Sequence, residues 1–489
     1  MPEQPPLPLL RTCVLVGLMA LVGCASPPRA VPPEPPWPVP PQFHAQNRAE
    51  GLLSEPLAFG PWWKALGDQR LDDLVDSALA HNQDLRAGMA RWEQARSMAA
   101  RDQANLRPSV GLNPQVGIGQ TSGNVDSGVT VSSPASGAAP LSVSTQAQTT
   151  RWKLPLEASY EPDLWGRLAL AAQASSQRRQ ASKHDLELAR HSLVASVVST
   201  YHWLGVLGGQ LDLLQHILRH DERRIRAQLA RQAVGLADGN ALAAMQMQGA
   251  QTQSRLQQVE EQIDLTRHLL ALLCGLPLDR LPQLHTGQSD PGQALQRLPL
   301  LADLPASVLQ RRPDVRGSQA LLSAALSDLG VAQAEFLPSI RLTGGTGRES
   351  SALPQLLTSG SQIWSLAAQI NVPLFDGGRR DAQFQYAQAR LTEASHRHQA
   401  TVLQALREVE DALVSASTRR NQVTLQAQAT AAADQIAAQA LRQAQVGRLI
   451  TLQAIDSQQA ALHQRLSLLD AQGQALAAQV NLIKVLAYP

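Results

Sequence analysis

Glu161 and Asp163 are two carboxylates one residue apart beside a turn, a spacing that could divide acid and base work if a fold set them across a substrate. No partner for such chemistry accompanies them, and they are expected to line water or open a helix instead. His396 and His398 sit on a helical stretch and are expected to be exposed polar residues rather than metal ligands. The chain has no P-loop glycine-lysine signature, no HExxH, no G-x-S-x-G and no cysteine pair at metal spacing. No catalytic residue, cofactor or metal site is therefore expected, and the chain is not expected to be an enzyme. A formal net charge of +2 points to no partner, and Arg178-Arg179, Arg223-Arg224 and Arg419-Arg420 read as solvated helix faces. With no basic patch interleaved with aromatics, nucleic acid is not an expected partner.

The remaining chemistry-bearing residues are three cysteines, Cys13, Cys24 and Cys274. Arg11 precedes an apolar run that is too short to span a membrane as an ordinary helix and long enough for the core of a signal peptide. "Leu21-Val22-Gly23-Cys24" resembles the bacterial lipoprotein cleavage box, which implies removal of residues 1–23 and acylation of Cys24. That leaves Cys274 alone, so no disulfide forms within one mature chain. Ala25 and Ser26 follow, and by the same resemblance the lack of Asp after the Cys favours the outer membrane. Residues 24–60 open on a Pro-rich stretch that reads as an extended tether.

Only 3% of the 489 residues are aromatic, while Ala, Gln, Leu and Arg crowd long stretches, a composition suited to long, closely packed helices. The chain is also duplicated. At a shift of 230, Asp84, Arg86, Pro108, Ser109 and Leu112 fall on Asp314, Arg316, Pro338, Ser339 and Leu342. Farther along the shift becomes 212, placing Trp152, Leu154, Gly166, Arg167, Gly235 and Pro277 on Trp364, Leu366, Gly378, Arg379, Gly447 and Pro489. The halves are repeat 1 over 61–277 and repeat 2 over 313–489, with an equatorial linker at 278–312. The register difference is absorbed mostly in the polar, nearly uncharged stretch between Leu112 and Trp152, which reads as a long exposed loop.

Each repeat reads as a helix, two strands and a long helical hairpin. Strands are expected near 109–120, 151–162, 339–347 and 363–375. Trp152, Leu154, Leu156, Ala158 and Tyr160 alternate with polar neighbours, as do Trp364, Leu366, Ala368, Ile370 and Val372. Such alternation with an aromatic near an end fits a strand between lipid and water, and fits a soluble sandwich too. From Arg167 to Ala233 there is no proline, and Val197, Tyr201, Leu204, Leu207, Leu211, Leu214 and Leu218 recur at three- and four-residue steps. Unbroken, that helix would be about 100 Å long. Gly166, with Asp376, Gly377 and Gly378 in the second copy, marks where a strand must swing into a helix. Glycine allows the backbone angles of that swing, and an Asp can cap the helix start. Four strands cannot close a membrane barrel, which needs at least about eight. An open membrane sheet would leave its edges unpaired in lipid, so several copies must pool their strands.

"LPASVLQRRPDVRGSQALL", "AEFLPSIRLTG", "PLFDGGRRDAQ", "ALREVEDALV" and the closing "NLIKVLAYP" resemble the outer membrane factor family, the TolC-like exit ducts of tripartite efflux pumps, in its lipoprotein branch. The resemblance covers roughly residues 60 to 489. It implies a mixed fold of α structure and transmembrane β structure: a homotrimer with a 12-stranded β-barrel, four strands per chain, continued by a long α-helical coiled-coil barrel. It implies an outer-membrane, lipid-anchored location extending into the periplasm. The implied function is a passive exit duct for small molecules such as drugs, working with a periplasmic adaptor and an inner-membrane efflux transporter.

Asp456, nine residues after Gly447, matches an Asp that in relatives lies near the narrow periplasmic end, where three copies face the axis and favour cations. Relatives carry further charges three residues to either side; here Gln453 and Gln459 stand there, so hydrogen bonds from uncharged amides are expected to replace part of any lock. The hairpin tips, Gly235, Leu236, Gly447 and Arg448, are the expected adaptor contacts, although a glycine there also simply ends a helix. Two alternatives stay open: an exit duct for a secreted protein or peptide, and a lipid-anchored periplasmic coiled-coil scaffold that never spans the membrane.

Overall fold

The computed structural model describes residues 43–44, 61–120, 122, 130–131, 141–142, 148–236, 239–281, 290–298 and 306–486. The signal peptide, Cys24 and nearly all of the tether lie outside these residues. The helices are α1 (Gln69–His81), α2 (Gln83–Ala104), α3 (Arg167–Ala233), α4 (Gly239–Cys274), α5 (Pro291–Arg297), α6 (Pro313–Ala334), α7 (Arg379–Gln445) and α8 (Thr451–Val485). The strands are β1 (Ser109–Leu112), β2 (Gln115–Gln120), β3 (Thr130–Val131), β4 (Leu141–Ser142), β5 (Gln148–Tyr160), β6 (Ser339–Ser350) and β7 (Gln362–Asn371). The long helices of the two repeats, α3 and α7, each have 67 residues. Two compact units form, one from 96–177 and 323–392 and the other from 33–95, 178–322 and 393–489, so each unit draws on both repeats.

The first unit holds an antiparallel sheet in the order β1, β5, β6, β7, with β2 continuing β1 along β5. The expected single strand near 109–120 is thus two pieces. Pro114 lacks the N–H a ladder needs, while Asn113 N–H still donates to Pro155 O at 3.2 Å. Proline also ends the other strands early: β5 stops at Tyr160 before Pro162, and β7 at Asn371 before Pro373. In the expected loop between Leu112 and Trp152, β3 pairs with β4.

Alternation places Val110, Leu112, Trp152, Leu156, Trp364 and Leu366 on one face of the sheet. On the other, Arg151 and Lys153 grip Glu349 at 3.2 and 3.1 Å. The apolar face stays open along β7, where Trp364 is 78% and Leu366 81% exposed. Beside the sheet, Phe336 meets Phe384 edge-on at 6.4 Å, and Leu329, Ala332 and Ala387 form a small core.

The second unit holds the two larger apolar cores. Leu71, Val75, Val197, Leu207, Leu214, Ile217, Leu270, Leu476 and Ile483 join α1, α3, α4 and α8 in one core. Glycines let helices approach: a Cβ on Gly209 of α3 would lie 2.7 Å from Leu469 of α8, and one on Gly473 of α8 would lie 2.7 Å from Val206 of α3. A second core gathers Leu309, Val315, Val409, Leu413 and Leu482, and Phe43 of the tether segment is buried in it. The "RRPD" motif has a structural purpose. Pro313 opens α6, while Arg312, 4% exposed, grips Asp314 through two nitrogens, Glu408 at 2.6 Å and the Val485 carbonyl at 2.9 Å. Burial works against its charge, but the carboxylates of Asp314 and Glu408 raise its pKa overall.

Among the described residues, no helix is long and apolar enough to cross a membrane.

Candidate functional site

The apolar stripe of α3 runs through Leu207, Leu211, Leu214 and Leu218, and its next step lands on Asp221. Asp221 is 1% exposed. A buried carboxylate must be satisfied from several sides. Thr252 Oγ1 of α4 donates to its Oδ2 at 2.8 Å, and Gln459 Nε2 of α8 donates to its Oδ1 at 2.7 Å. Arg224, one helical turn along α3, holds Asp221 at 3.5 Å through Nη1 and places Nε 2.7 Å from Asp456 Oδ1. That close approach is an ion-pair contact; neither Arg224 Nε nor Asp456 Oδ1 makes an aligned hydrogen bond. Asp221 and Gln459 are buried, whereas the Asp456 side chain is 44% exposed. The cluster therefore ties α3 of repeat 1 to α8 of repeat 2, with one carboxylate enclosed and one reaching solvent. His463, one turn beyond Gln459, is half-buried, and burial lowers its pKa, with Arg255 and Arg224 adding to the effect and Asp221 opposing it.

Of the three residues expected here, Asp456 and Gln459 enter the cluster, while Gln453 is exposed and stands outside it. The amide of Gln459 is spent on Asp221 within the chain. Arg224, read from the sequence as part of a solvated face, is instead mostly covered and ion-paired. Asp221 was not singled out at all. Its signal is an acid on the register of an apolar stripe, obscured by the arginines around it.

A protein-family model for outer membrane efflux proteins matches residues 74–276 and 304–487, both repeats of this chain. The chain belongs to the outer membrane efflux protein family. It is 28% identical to the cation efflux system protein CusC of Escherichia coli (strain K12) over 468 residues, 95% of each chain. It is 30% identical to the pyoverdine export outer membrane protein OpmQ of Pseudomonas putida (strain KT2440) over 410 residues, 82% of this chain and 81% of OpmQ. Among solved structures, the outer-membrane channel OprN superposes with a TM-score of 0.79 at 22% identity, covering 94% of this chain and 99% of that one. That likeness carries the fold: an α-helical barrel with a β domain, as in the family's trimeric channels.

This efflux family member builds its two strand-to-helix turns differently. In the first, Gly166 has φ +75°, and Asp163 caps α3 by accepting from Leu168 N at 3.1 Å and Ala169 N at 2.7 Å. Trp165 Nε1 donates to the Pro338 carbonyl at 2.6 Å. In the second, Gly377 and Gly378 have φ +67° and +84°, but Asp376 forms an ion pair with Arg380 at 2.8 Å instead of an observed cap. Glu161 is also structural, paired with Arg167 at 2.6 Å.

The hairpin tips match one another. Gly235 and Gly447 both have φ +71°. Leu236 N donates to Arg231 O and Gly235 N to Gln232 O; Arg448 N donates to Gln443 O and Gly447 N to Ala444 O. Both are Schellman ends, which accounts for the glycines by helix termination alone. The exposure of Val234, Leu236, Val446 and Ile450 around them needs a different account. His396 is exposed, but His398 is half-buried with Nδ1 2.8 Å from Ser318 Oγ, a correction to the expected exposure. Cys274 is a buried free thiol, pushed up to about 11 by burial. Among the described residues no three His, Cys, Asp or Glu side chains gather as a metal site.

Proposed function

We propose that this chain is the outer-membrane exit duct of a tripartite efflux system, a homotrimer through which small molecules leave passively, driven by an inner-membrane transporter. The observation that carries the reading is a sheet with one apolar face exposed and both edges open, in a chain whose two repeats match the efflux family. Lipid covers that face, and neighbouring copies cover those edges. The relatives are named for a cation and for pyoverdine, so cargo varies within the family, and a wide duct leaves its choice to the partners. Acylated Cys24 anchors the chain to the outer membrane. The tips at Gly235, Leu236, Gly447 and Arg448 meet a periplasmic adaptor, with the exposed Val234, Leu236, Val446 and Ile450 as the apolar part of that contact.

The Arg224–Asp456 ion pair and the Gln459–Asp221 hydrogen bond are the latch that keeps the periplasmic end closed between docking events. Removing Arg224 breaks one of the two links between α3 and α8 and leaves Asp221 and Asp456 without their cation, while the Gln459–Asp221 hydrogen bond remains. Asp456→Ala and Arg224→Ala are expected to raise resting single-channel conductance in planar bilayers, and Asp456→Ala to weaken cation preference as well. Unchanged conductance and selectivity in both would remove the latch assignment.

A further inference from the structure

Strand register sorts the charged residues of the sheet between its two faces. Arg151, Lys153 and Glu157 of β5 share the polar face with Arg341 and Glu349 of β6, and Glu161 follows just past the end of β5. Along that face the charges are matched at one end and not at the other. Next to α3, Arg167 and Arg341 stand with Glu161 and the capping Asp163, Glu161 lying 2.6 Å from Arg167 and 3.8 Å from Arg341. Midway, Glu157 accepts from Asn113 Nδ2 at 3.2 Å. At the far end, roughly 30 Å from Tyr160 along β5, a single carboxylate, Glu349, serves both Arg151 and Lys153. The adjoining connections do not restore neutrality: residues 121–147 hold one charge, Asp126, and residues 351–361 none. Arg348 adds a cation on the opposite face, where its Nη1 donates to the Thr358 carbonyl. The residue paired with Arg151 on β2 is Gly117, so no side chain covers the guanidinium from that strand, and Arg151 is 61% exposed.

We infer that Arg151 and Lys153 form an anion-binding site at the outer mouth of the duct, one pair from each copy, whose ligands are small multivalent oxyanions bearing phosphate or carboxylate groups. The inference rests on the duct reading, in which the polar face lines water and the strand ends remote from α3 open away from the helices. Glu349 is the positioning residue: at 3.2 Å from Arg151 and 3.1 Å from Lys153 it holds both cations within reach of one ligand, and its own charge weakens the field they make. Arginine offers an oxyanion a planar fork for two oxygens, and lysine adds a point charge beside it. Repeated around a lumen with low-dielectric walls, the surplus positive charge concentrates anions at that level. Its sign is opposite to that of Asp456 on α8. A duct with a carboxylate at one end and this pair at the other is polar along its length, and an anionic cargo meets its last attractive site where it leaves.

The test uses inorganic pyrophosphate as the probe. Full-length protein in planar bilayers is titrated from one chamber at a time in about 0.1 M KCl, where charges are screened over about 10 Å. Single-channel conductance is expected to fall as pyrophosphate is added to one chamber and to stay unchanged when it is added to the other. Arg151→Gln combined with Lys153→Gln is expected to raise the half-blocking concentration at least roughly five-fold, and Glu349→Gln to lower it by roughly two-fold or more. Both shifts are expected to shrink in 1 M KCl, where screening acts over about 3 Å. Opposite shifts from neighbouring residues are not what a merely structural role produces, and Glu349→Gln alone decides the matter where the double variant fails to assemble. An unchanged half-blocking concentration in an assembled variant, shifts of the same sign, or equal block from both chambers overturns the site. Wild-type protein that conducts but is never blocked removes the site and leaves the duct reading standing, whereas wild-type protein that conducts no ions overturns the duct reading itself.

Discussion

The sheet and the helical pack of this chain finish their folding in opposite ways. In the helical unit even a carboxylate, Asp221, is enclosed and bonded from three helices, and leucines from four helices close one core. In the sheet, Trp364 and Leu366 stand 78% and 81% exposed, and two edges carry unused backbone groups. A chain can therefore complete a helical hairpin core alone, because the bonds of a helix are local. It cannot complete a short open sheet, whose edges and apolar face must be met by other copies and by lipid.

The largest expected effect breaks this contrast on the sheet. Leu366→Lys places a charge on the uncovered apolar face and should cost roughly 2 to 4 kcal/mol if the position lies near the bilayer midplane, while Ala367→Lys on the opposite face should be tolerated. Loss of the heat-resistant trimer on gels in the first variant and its retention in the second is the expected pattern; equal losses would mean that the faces do not differ.

A comparable but pH-limited effect breaks the helical unit. His202 is buried against Tyr201 at 5.4 Å, and burial pushes its pKa down to about 4 from 6.5, with Asp68 opposing. The folded chain holds it neutral, so below pH 6.5 the unfolded chain takes up a proton that the folded chain refuses. Stability from this group is intact above pH 6.5 and declines by about 3 kcal/mol as pH falls towards 4. His202→Phe should flatten that part of the urea-midpoint profile between pH 7 and 4.5, whereas an unchanged slope would place the acid sensitivity elsewhere.

Much of this was legible in the residues. Period-2 alternation and prolines located the strands, and three- and four-residue spacing located the 67-residue helices. The repeat identified paired turns and tips, since glycine at positive φ leaves a mark at Gly166, Gly235, Gly378 and Gly447. Less legible was whatever depends on which helix lies next to which. Asp456 could be chosen by its spacing, but its partner Arg224 lies 232 residues earlier in a run of arginines that local patterning assigns to solvent. Asp163 and Asp376 look interchangeable as caps, yet only the first is seen to cap, because Arg380 holds the second. The break at Pro114 follows from its missing N–H, while the continued register across it depends on β5.

The most direct measurement is an image of the purified protein in a lipid nanodisc by electron cryomicroscopy. Three copies around one continuous lumen, with β7 of each joined to β1–β2 of the next, is the predicted result. A stable single copy with an open sheet, or an assembly whose sheets remain separate, would contradict it.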